Sequence, residues 1–240
     1  MQQTKPILKD TQARGPELVE LGLAILLSGS AGAVDAIAYL QFDHVFVANM
    51  TGNTVLFASQ LAFHQAGAAL TRLLPILGFL AGIVAARLLL NRTPPHPRVR
   101  GPSPASGLCF LLASGLWTIV GVLTPSLTTV LIPVLAFSMG AQNAAFSGVG
   151  QTPLNVAFLT GDLQKLGEAV ATLVAFRKPD AREERLKIRA VGGIWIAYAL
   201  GAALGARCGQ AWGKGALLGP AGVMCLSAGW AFVFWDRERP

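Results

Sequence analysis

The stretch VFVANMTGNTVLFASQLAF, residues 45–63, contains no charged residue, yet polar and small residues interrupt it near its centre. These residues are Asn49, Thr51, Gly52 and Asn53. The chain returns to the pattern later, at Thr160, Gly161 and Asp162. Polar triplets inside apolar segments are costly in a bilayer, because the hydrocarbon core offers no water to hydrogen-bond with them. Two such triplets at matching places predict a duplicated membrane protein whose halves share a polar centre.

The composition favours a bilayer as the solvent of this chain. Of its 240 residues, 53% are apolar and 13% are charged, whereas a soluble domain carries about 25% charged residues. The formal net charge is +7, but the basic residues lie in short clusters between apolar runs. That placement is typical of the cytoplasmic loops of membrane proteins, so we do not expect nucleic acid as a partner.

Eight apolar stretches are candidates for membrane segments. They cover residues 18–40, 45–63, 73–90, 106–123, 127–146, 154–176, 188–209 and 217–235. A helix needs about 20 residues to cross the hydrocarbon core. The second and sixth stretches are unusual because they contain the Thr-Gly triplets, and the sixth also holds Lys165 and Glu168, for which a surface ion pair is the preferred interpretation.

The basic loops decide between two topologies. If the second and sixth segments dip into the membrane and return, six helices span it and all four basic regions share the cytoplasmic side. These regions are the N-terminus, the loop around 92–100, the loop 177–189 and the C-terminal tail. If all eight segments cross, the loop around 92–100 lies outside with no acidic residue to balance it. The positive-inside rule favours an all-α protein with six spans and two re-entrant or broken segments; eight full spans, four in each half, is the alternative.

The two halves of the chain align with each other in order. Asp35 in GAVDA matches Asn143 in GAQNA, and the triplet 51–53 matches the triplet 160–162. Three crossings per half is an odd number, so the halves must enter the bilayer from opposite sides, as inverted repeats of secondary transporters do. The predicted division is a cytoplasmic tail (1–17), a first repeat (18–123), a second repeat (124–235) and a second cytoplasmic tail (236–240).

Small residues recur every four positions in two of the segments. Gly78, Gly82 and Ala86 form one ladder, and Gly201, Gly205 and Gly209 form another. Such ladders let helix backbones approach closely, so we expect them to pack helices and not to bind a ligand.

The runs GAVDAIAYL (32–40) and VFVANMTGN (45–53) resemble the YoaK-type family of bacterial integral membrane proteins, a family of unknown function. The resemblance extends over about residues 18–235. It implies a multi-pass protein of the bacterial inner membrane, but it supplies no substrate, no reaction and no site residues.

The candidate substrate site consists of residues that place a polar group, or a glycine beside one, inside an apolar segment. They are Asp35, Asn49, Thr51, Gly52, Asn53, Gln142, Asn143, Thr160, Gly161 and Asp162. Asp35 fits an ion or proton site, or else an interfacial carboxyl that caps a helix or pairs with Arg72. The first triplet fits a capped half-helix, with Thr51 or Asn53 as the cap and N–H groups that attract an anion, or else a packed helix kink. Asp162 also fits an ordinary first-turn acid.

These residues favour a secondary transporter or facilitator of a small polar or anionic solute, with a midplane site at the Thr-Gly triplets. The alternative is a non-transporting membrane scaffold whose polar residues serve helix packing, and a homo-oligomer is compatible with either. No Ser-His-Asp order, HExxH, P-loop or GxGxxG occurs, and the three cysteines have no paired spacing. We therefore expect neither an enzyme nor a cofactor or metal site.

Overall fold

The computed structural model describes residues 14–90, 104–124, 128–146, 148–149, 152–153, 159–175 and 181–236. The helices are α1 (Arg14–Gln41), α2 (Met50–Ala62), α3 (Ala66–Leu90), α4 (Pro104–Leu123), α5 (Thr128–Ala145), α6 (Leu159–Ala175), α7 (Ala181–Trp212) and α8 (Leu218–Asp236), with a 3-10 helix (Gly213–Leu217) before α8. The helical fold class predicted from the sequence is confirmed. A short antiparallel ladder of β1 (Gly148–Val149) and β2 (Thr152–Pro153), which the hydrophobic pattern did not predict, follows α5.

The second apolar segment is not a single helix. Its first five residues lie in an irregular stretch between α1 and α2, and helix begins only at Met50. The chain turns before this stretch at Asp43 and His44, whose φ angles of 51° and 60° lie in the left-handed region that these two residue types tolerate. With 13 residues, α2 is about 20 Å long at 1.5 Å per residue, which is shorter than the hydrocarbon core of about 30 Å.

Three described stretches are long and apolar enough to cross a membrane: Glu20–Gln41, Ala66–Leu89 and Arg185–Gly229. Shorter apolar helical stretches cover Leu112–Leu123 and Val130–Ala145. Large apolar side chains are exposed along one face of α3, at Leu70, Leu74, Leu77, Leu80, Val84 and Leu88. Exposed leucines at helical spacing are costly in water but favourable against lipid tails, which supports a bilayer around this fold.

Helix packing follows a regular order. α1 packs against α7, and α3 packs against α5; α2 packs on α3, and α6 packs on α7. α4 contacts α5, α1 contacts α8, and α4 and α8 contact each other. α1 and α5 thus face each other across the centre of the protein, and their side chains meet in the core without close backbone packing.

The core has two main clusters of buried side chains. The central cluster joins α1, α4, α5 and α8 through residues that include Ala31, Val34, Met139 and Met224. The flanking cluster joins α1, α7 and α8 through residues that include Leu27, Ile194 and Ala228, with Phe146 after α5 packed against it.

Glycines make the two closest helix crossings. A methyl group on Gly32 of α1 would overlap the carbonyl oxygen of Tyr198 in α7, and one on Gly201 would overlap that of Gly29. The crossing of α3 and α5 is similar, since a methyl group on Gly82 would overlap the carbonyl oxygen of Phe137. The packing role predicted for the small-residue ladders is confirmed at these positions.

Candidate functional site

Asp35 lies near the end of α1, and its side chain is buried. Its Oδ1 accepts hydrogen bonds from the backbone N–H groups of Val47 at 2.6 Å and Ala48 at 2.7 Å. Its Oδ2 accepts from the N–H of Asn49 at 3.0 Å and from the hydroxyl of Tyr198 at 2.5 Å. The carboxylate therefore holds the irregular stretch before α2 and connects it with α1 and α7.

Asn53 anchors the same stretch from the other side. Its Oδ1 accepts the N–H of Phe46 at 2.9 Å, and its Nδ2 donates to the carbonyl oxygen of Phe46 at 2.7 Å. Asn53 is fully buried. Because a buried backbone group without a partner is costly, this pair of bonds lets an irregular segment lie inside the protein.

The cap of α2 is Asn49, and not Thr51 or Asn53 as the sequence suggested. Asn49 Oδ1 accepts the N–H of Gly52 at 3.2 Å, while the side chain of Thr51 is exposed. A Cβ on Gly52 would lie 2.8 Å from the ring of Phe46, so glycine is needed for this ring to pack there. The predicted capped half-helix is present, but its cap lies two residues before Thr51 and four before Asn53.

The proposed pairing of Asp35 with Arg72 is wrong. Asp35 accepts hydrogen bonds from backbone amides and from Tyr198, whereas Arg72 Nη1 donates to Thr71 Oγ1 at 3.0 Å. Tyr198 is a functional candidate that sequence reasoning missed. Its signal was a tyrosine within the glycine-rich run of α7, the helix whose ladder faces α1.

The two amides predicted as site residues in the second half, Gln142 and Asn143, both lie in α5. Gln142 is completely buried in α5, and among the described residues neither its Nε2 nor its Oε1 has a hydrogen-bond partner. The Oδ1 of the neighbouring Asn143 is also buried and unbonded within that part of the chain. The amides of α5 thus have buried atoms without a hydrogen-bond partner among the described residues, whereas the carboxylate of Asp35 has four donors.

The second Thr-Gly triplet is described in part. Asp162 lies in the first turn of α6 and is buried, and its Oδ1 forms an ion pair with Lys165 Nζ at 2.9 Å. Glu168 accepts a hydrogen bond from Gln164 at 2.9 Å, so the ion pair expected between Lys165 and Glu168 instead joins Lys165 to Asp162. The side chain of Thr160 and residues 154–158 lie outside the described residues.

The structure brings the first-half residues together but leaves the two triplets on separate helix pairs. Asp35, Asn49, Gly52 and Asn53 form one hydrogen-bonded element around the break before α2. In the described part of the chain, α2 packs on α3 and α6 packs on α7. Gln142 belongs to neither element and is buried in α5, one helical turn after Met139 of the core.

Comparisons with known proteins agree with this description. The family described as "Protein of unknown function (DUF1275)" matches residues 23–230. The chain is 29% identical over 160 residues to the UPF0700 transmembrane protein YoaK of Bacillus subtilis (strain 168). The aligned region covers 65% of this chain and 69% of that protein. No solved structure matches the chain.

Proposed function

Because the chain belongs to the DUF1275 family, whose function is unknown, we propose from the geometry that it is a secondary transporter or facilitator of a small polar or anionic solute. The observation that carries this proposal is the side chain of Gln142. It is completely buried, and no described residue bonds to its carboxamide. Burying an amide without a hydrogen bond costs about 1–3 kcal/mol in proteins, so a residue of this kind needs an explanation. A polar solute that binds there and then leaves supplies one.

The packing order supports an inverted repeat. If α1–α4 correspond to α5–α8, the packing of α1 on α7 matches that of α5 on α3, and α2 on α3 matches α6 on α7. The contact of α4 with α5 matches that of α8 with α1, and α4 with α8 matches itself. The glycine crossings agree with this correspondence, because Gly82 packs on the backbone of Phe137 as Gly201 packs on that of Gly29. Phe137 lies as far along the chain from Gly29 as Asn143 lies from Asp35.

The proposed topology has two repeats, 18–123 and 124–235, with six spans and two broken segments at α2 and α6. The short α2 and its irregular entry support a segment that does not cross. Both termini are proposed to lie on the cytoplasmic side of the bacterial inner membrane. In this arrangement the Thr-Gly elements open the two ends of a pathway, the amides of α5 contact the solute, and the protein carries out no chemical reaction.

The proposal is tested by solute entry into vesicles. Purified protein is reconstituted into liposomes, and stopped-flow light scattering records swelling for a panel of uncharged and anionic solutes. We expect at least one solute to enter faster than into protein-free liposomes, and Gln142→Leu to abolish the difference. If every solute enters at the protein-free rate, the transport proposal is wrong.

A matched control separates lost transport from lost folding. Gly167 in α6 is exposed and has no atom near the position of an added Cβ. Gly167→Ala should therefore keep the wild-type swelling rate, and Gln142→Leu should keep the wild-type elution volume in detergent.

A membrane scaffold is the second candidate, and the first-half residues favour it. The carboxyl and amide groups of Asp35, Asn49 and Asn53 all bond to the protein itself, mostly to its backbone. Polar side chains whose hydrogen bonds are all made within the protein serve helix packing and leave no group for a solute. This candidate predicts that no solute in the panel enters faster than into empty liposomes.

A further inference from the structure

Two serines, like Gln142, are buried without a hydrogen-bond partner among the described residues. Ser30 of α1 is 5% exposed, Ser227 of α8 is 2% exposed and Gln142 of α5 is 0% exposed. The hydroxyl oxygens of both serines, like the two amide atoms, have no hydrogen-bond partner in the described part of the molecule. Each residue comes from a different helix of the core.

All three residues lie at the boundary between the two buried clusters. Ser30 stands between Leu27 of the flanking cluster and Val34 of the central cluster, one helical turn from each. Gln142 stands between Met139 of the central cluster and Phe146, which packs against the flanking cluster. Helical periodicity places residues separated by three or four positions on one face, so Ser30 and Gln142 continue the buried faces of α1 and α5.

Ser227 completes the set from α8. It lies between Met224 of the central cluster and Ala228 of the flanking cluster. On α1, α5 and α8, the unbonded polar groups therefore stand where each helix passes from one buried cluster to the other. The backbones of α1 and α5 do not pack closely against each other.

We propose that Ser30, Gln142 and Ser227 form a binding site for a small uncharged solute that presents an N–H group beside a C=O group, such as a lactam, a urea or a nucleobase. A carboxamide offers one acceptor and one donor side by side, so it pairs in two places with that arrangement. The two hydroxyls add donors or acceptors, since a hydroxyl can rotate to suit either.

The charge of the surroundings argues against an anion at this site. The three side chains are neutral, and a buried ion without an opposite charge is far more costly than a buried dipole. This site narrows the class of transported solute to uncharged molecules. Only the claim that the bound solute is transported rests on the proposed function; the binding site itself does not.

Thermal unfolding of the purified full-length protein in detergent tests the site directly. The probes are urea at low millimolar concentration, 2-pyrrolidinone and uracil, which share the N–H and C=O arrangement and differ in size. 1,3-Dimethyluracil, which lacks the N–H, and succinate, an anion, serve as comparisons. Because a ligand stabilises the native state that binds it, at least one probe should raise the Tm of the wild type. The shift should be lost in Gln142→Met and reduced in Ser227→Ala.

The Gln142→Met variant gives a second measurement that needs no ligand. Methionine has a similar volume and no unbonded amide, so the Tm of the empty protein should rise by several degrees. The same substitution at exposed Gln164 in α6 should not raise it. A Tm that falls in Gln142→Met would mean that the amide is bonded within the protein, and this would overturn the site.

The outcomes separate the site from transport. If none of the three probes raises the Tm, or if only succinate does, the uncharged site is wrong, while solute flux in liposomes would leave the transport proposal standing. A Tm shift by a probe without flux of any solute would support the site and refute transport.

Discussion

Asp35→Asn tests whether the buried carboxylate holds the break between α1 and α2. Three backbone N–H groups and one hydroxyl donate to its two oxygens. Asparagine keeps one oxygen for Val47 and Ala48, but its amide nitrogen then faces the N–H of Asn49, so a donor meets a donor. The Tyr198 hydroxyl can rotate and accept from the new amide.

The expected cost follows from these bonds. A buried donor left without an acceptor costs about 1–3 kcal/mol, and hydrogen bonds to a charged group are stronger than those to a neutral amide. Removing the buried charge returns part of this cost, because its desolvation penalty disappears. We therefore expect Asp35→Asn to destabilise by about 2 kcal/mol, and Asp35→Ala, which abandons three backbone N–H groups, by about 4 kcal/mol.

Thermal unfolding in detergent, followed by tryptophan fluorescence, measures both variants. For a chain of this size each kcal/mol corresponds to about 2–4 °C in Tm, so the expected losses are about 4–8 °C and about 8–16 °C. The control is Thr51→Ala, since Thr51 lies in the same element with an exposed side chain; it should change stability by no more than about 0.5 kcal/mol. If Asp35→Asn has the same Tm as Thr51→Ala, the carboxylate does not stabilise the irregular stretch between α1 and α2.

Three further changes probe the same fold by thermal unfolding in detergent. Tyr198→Phe removes one of four hydrogen bonds to the carboxylate and should lower the free energy of unfolding by about 1–2 kcal/mol. Unchanged stability would show that this hydrogen bond does not stabilise the fold. Asn53→Leu leaves the N–H and C=O of Phe46 without their partners; it should cost about 2–4 kcal/mol, and a loss below about 0.5 kcal/mol would show that water reaches this backbone. Gly82→Ala places a methyl group against the carbonyl oxygen of Phe137 and should cost about 1–3 kcal/mol. Gly167→Ala, in open space, should instead stabilise by about 0.5–1 kcal/mol, and an equal response of both glycines would refute the close crossing.

The membrane class could be predicted from the sequence because it depends on composition and local order, and the family followed from the resemblance of residues 32–40 and 45–53 to its members. Apolar stretches of sufficient length and basic clusters between them need no knowledge of contacts. The first Thr-Gly triplet was equally readable, because polar groups within an apolar run must be satisfied at a break of the helix. The structure places that break before Met50, within the segment predicted to be interrupted.

The partners of the polar residues could not be read in the same way. Asp35 bonds to amides 12–14 residues away and to Tyr198, which is 163 residues away. Local pattern says that a buried carboxyl needs donors, but it does not say which helix supplies them. For the same reason the sequence does not exclude Arg72 as its partner and does not single out Ser30 or Ser227.

By itself, the sequence determined that this chain is a helical membrane protein with a broken second segment, and it predicts two related halves. Those properties follow from the cost of placing charges and unpaired backbone in lipid, a cost that each residue carries wherever it packs. Only the tertiary structure decided that Asp35 and Asn53 bond to nearby backbone and Asp35 also to Tyr198, while Gln142 has no partner among the described residues. Hydrogen bonds depend on distances of about 3 Å between atoms far apart in the chain, and helix packing sets those distances.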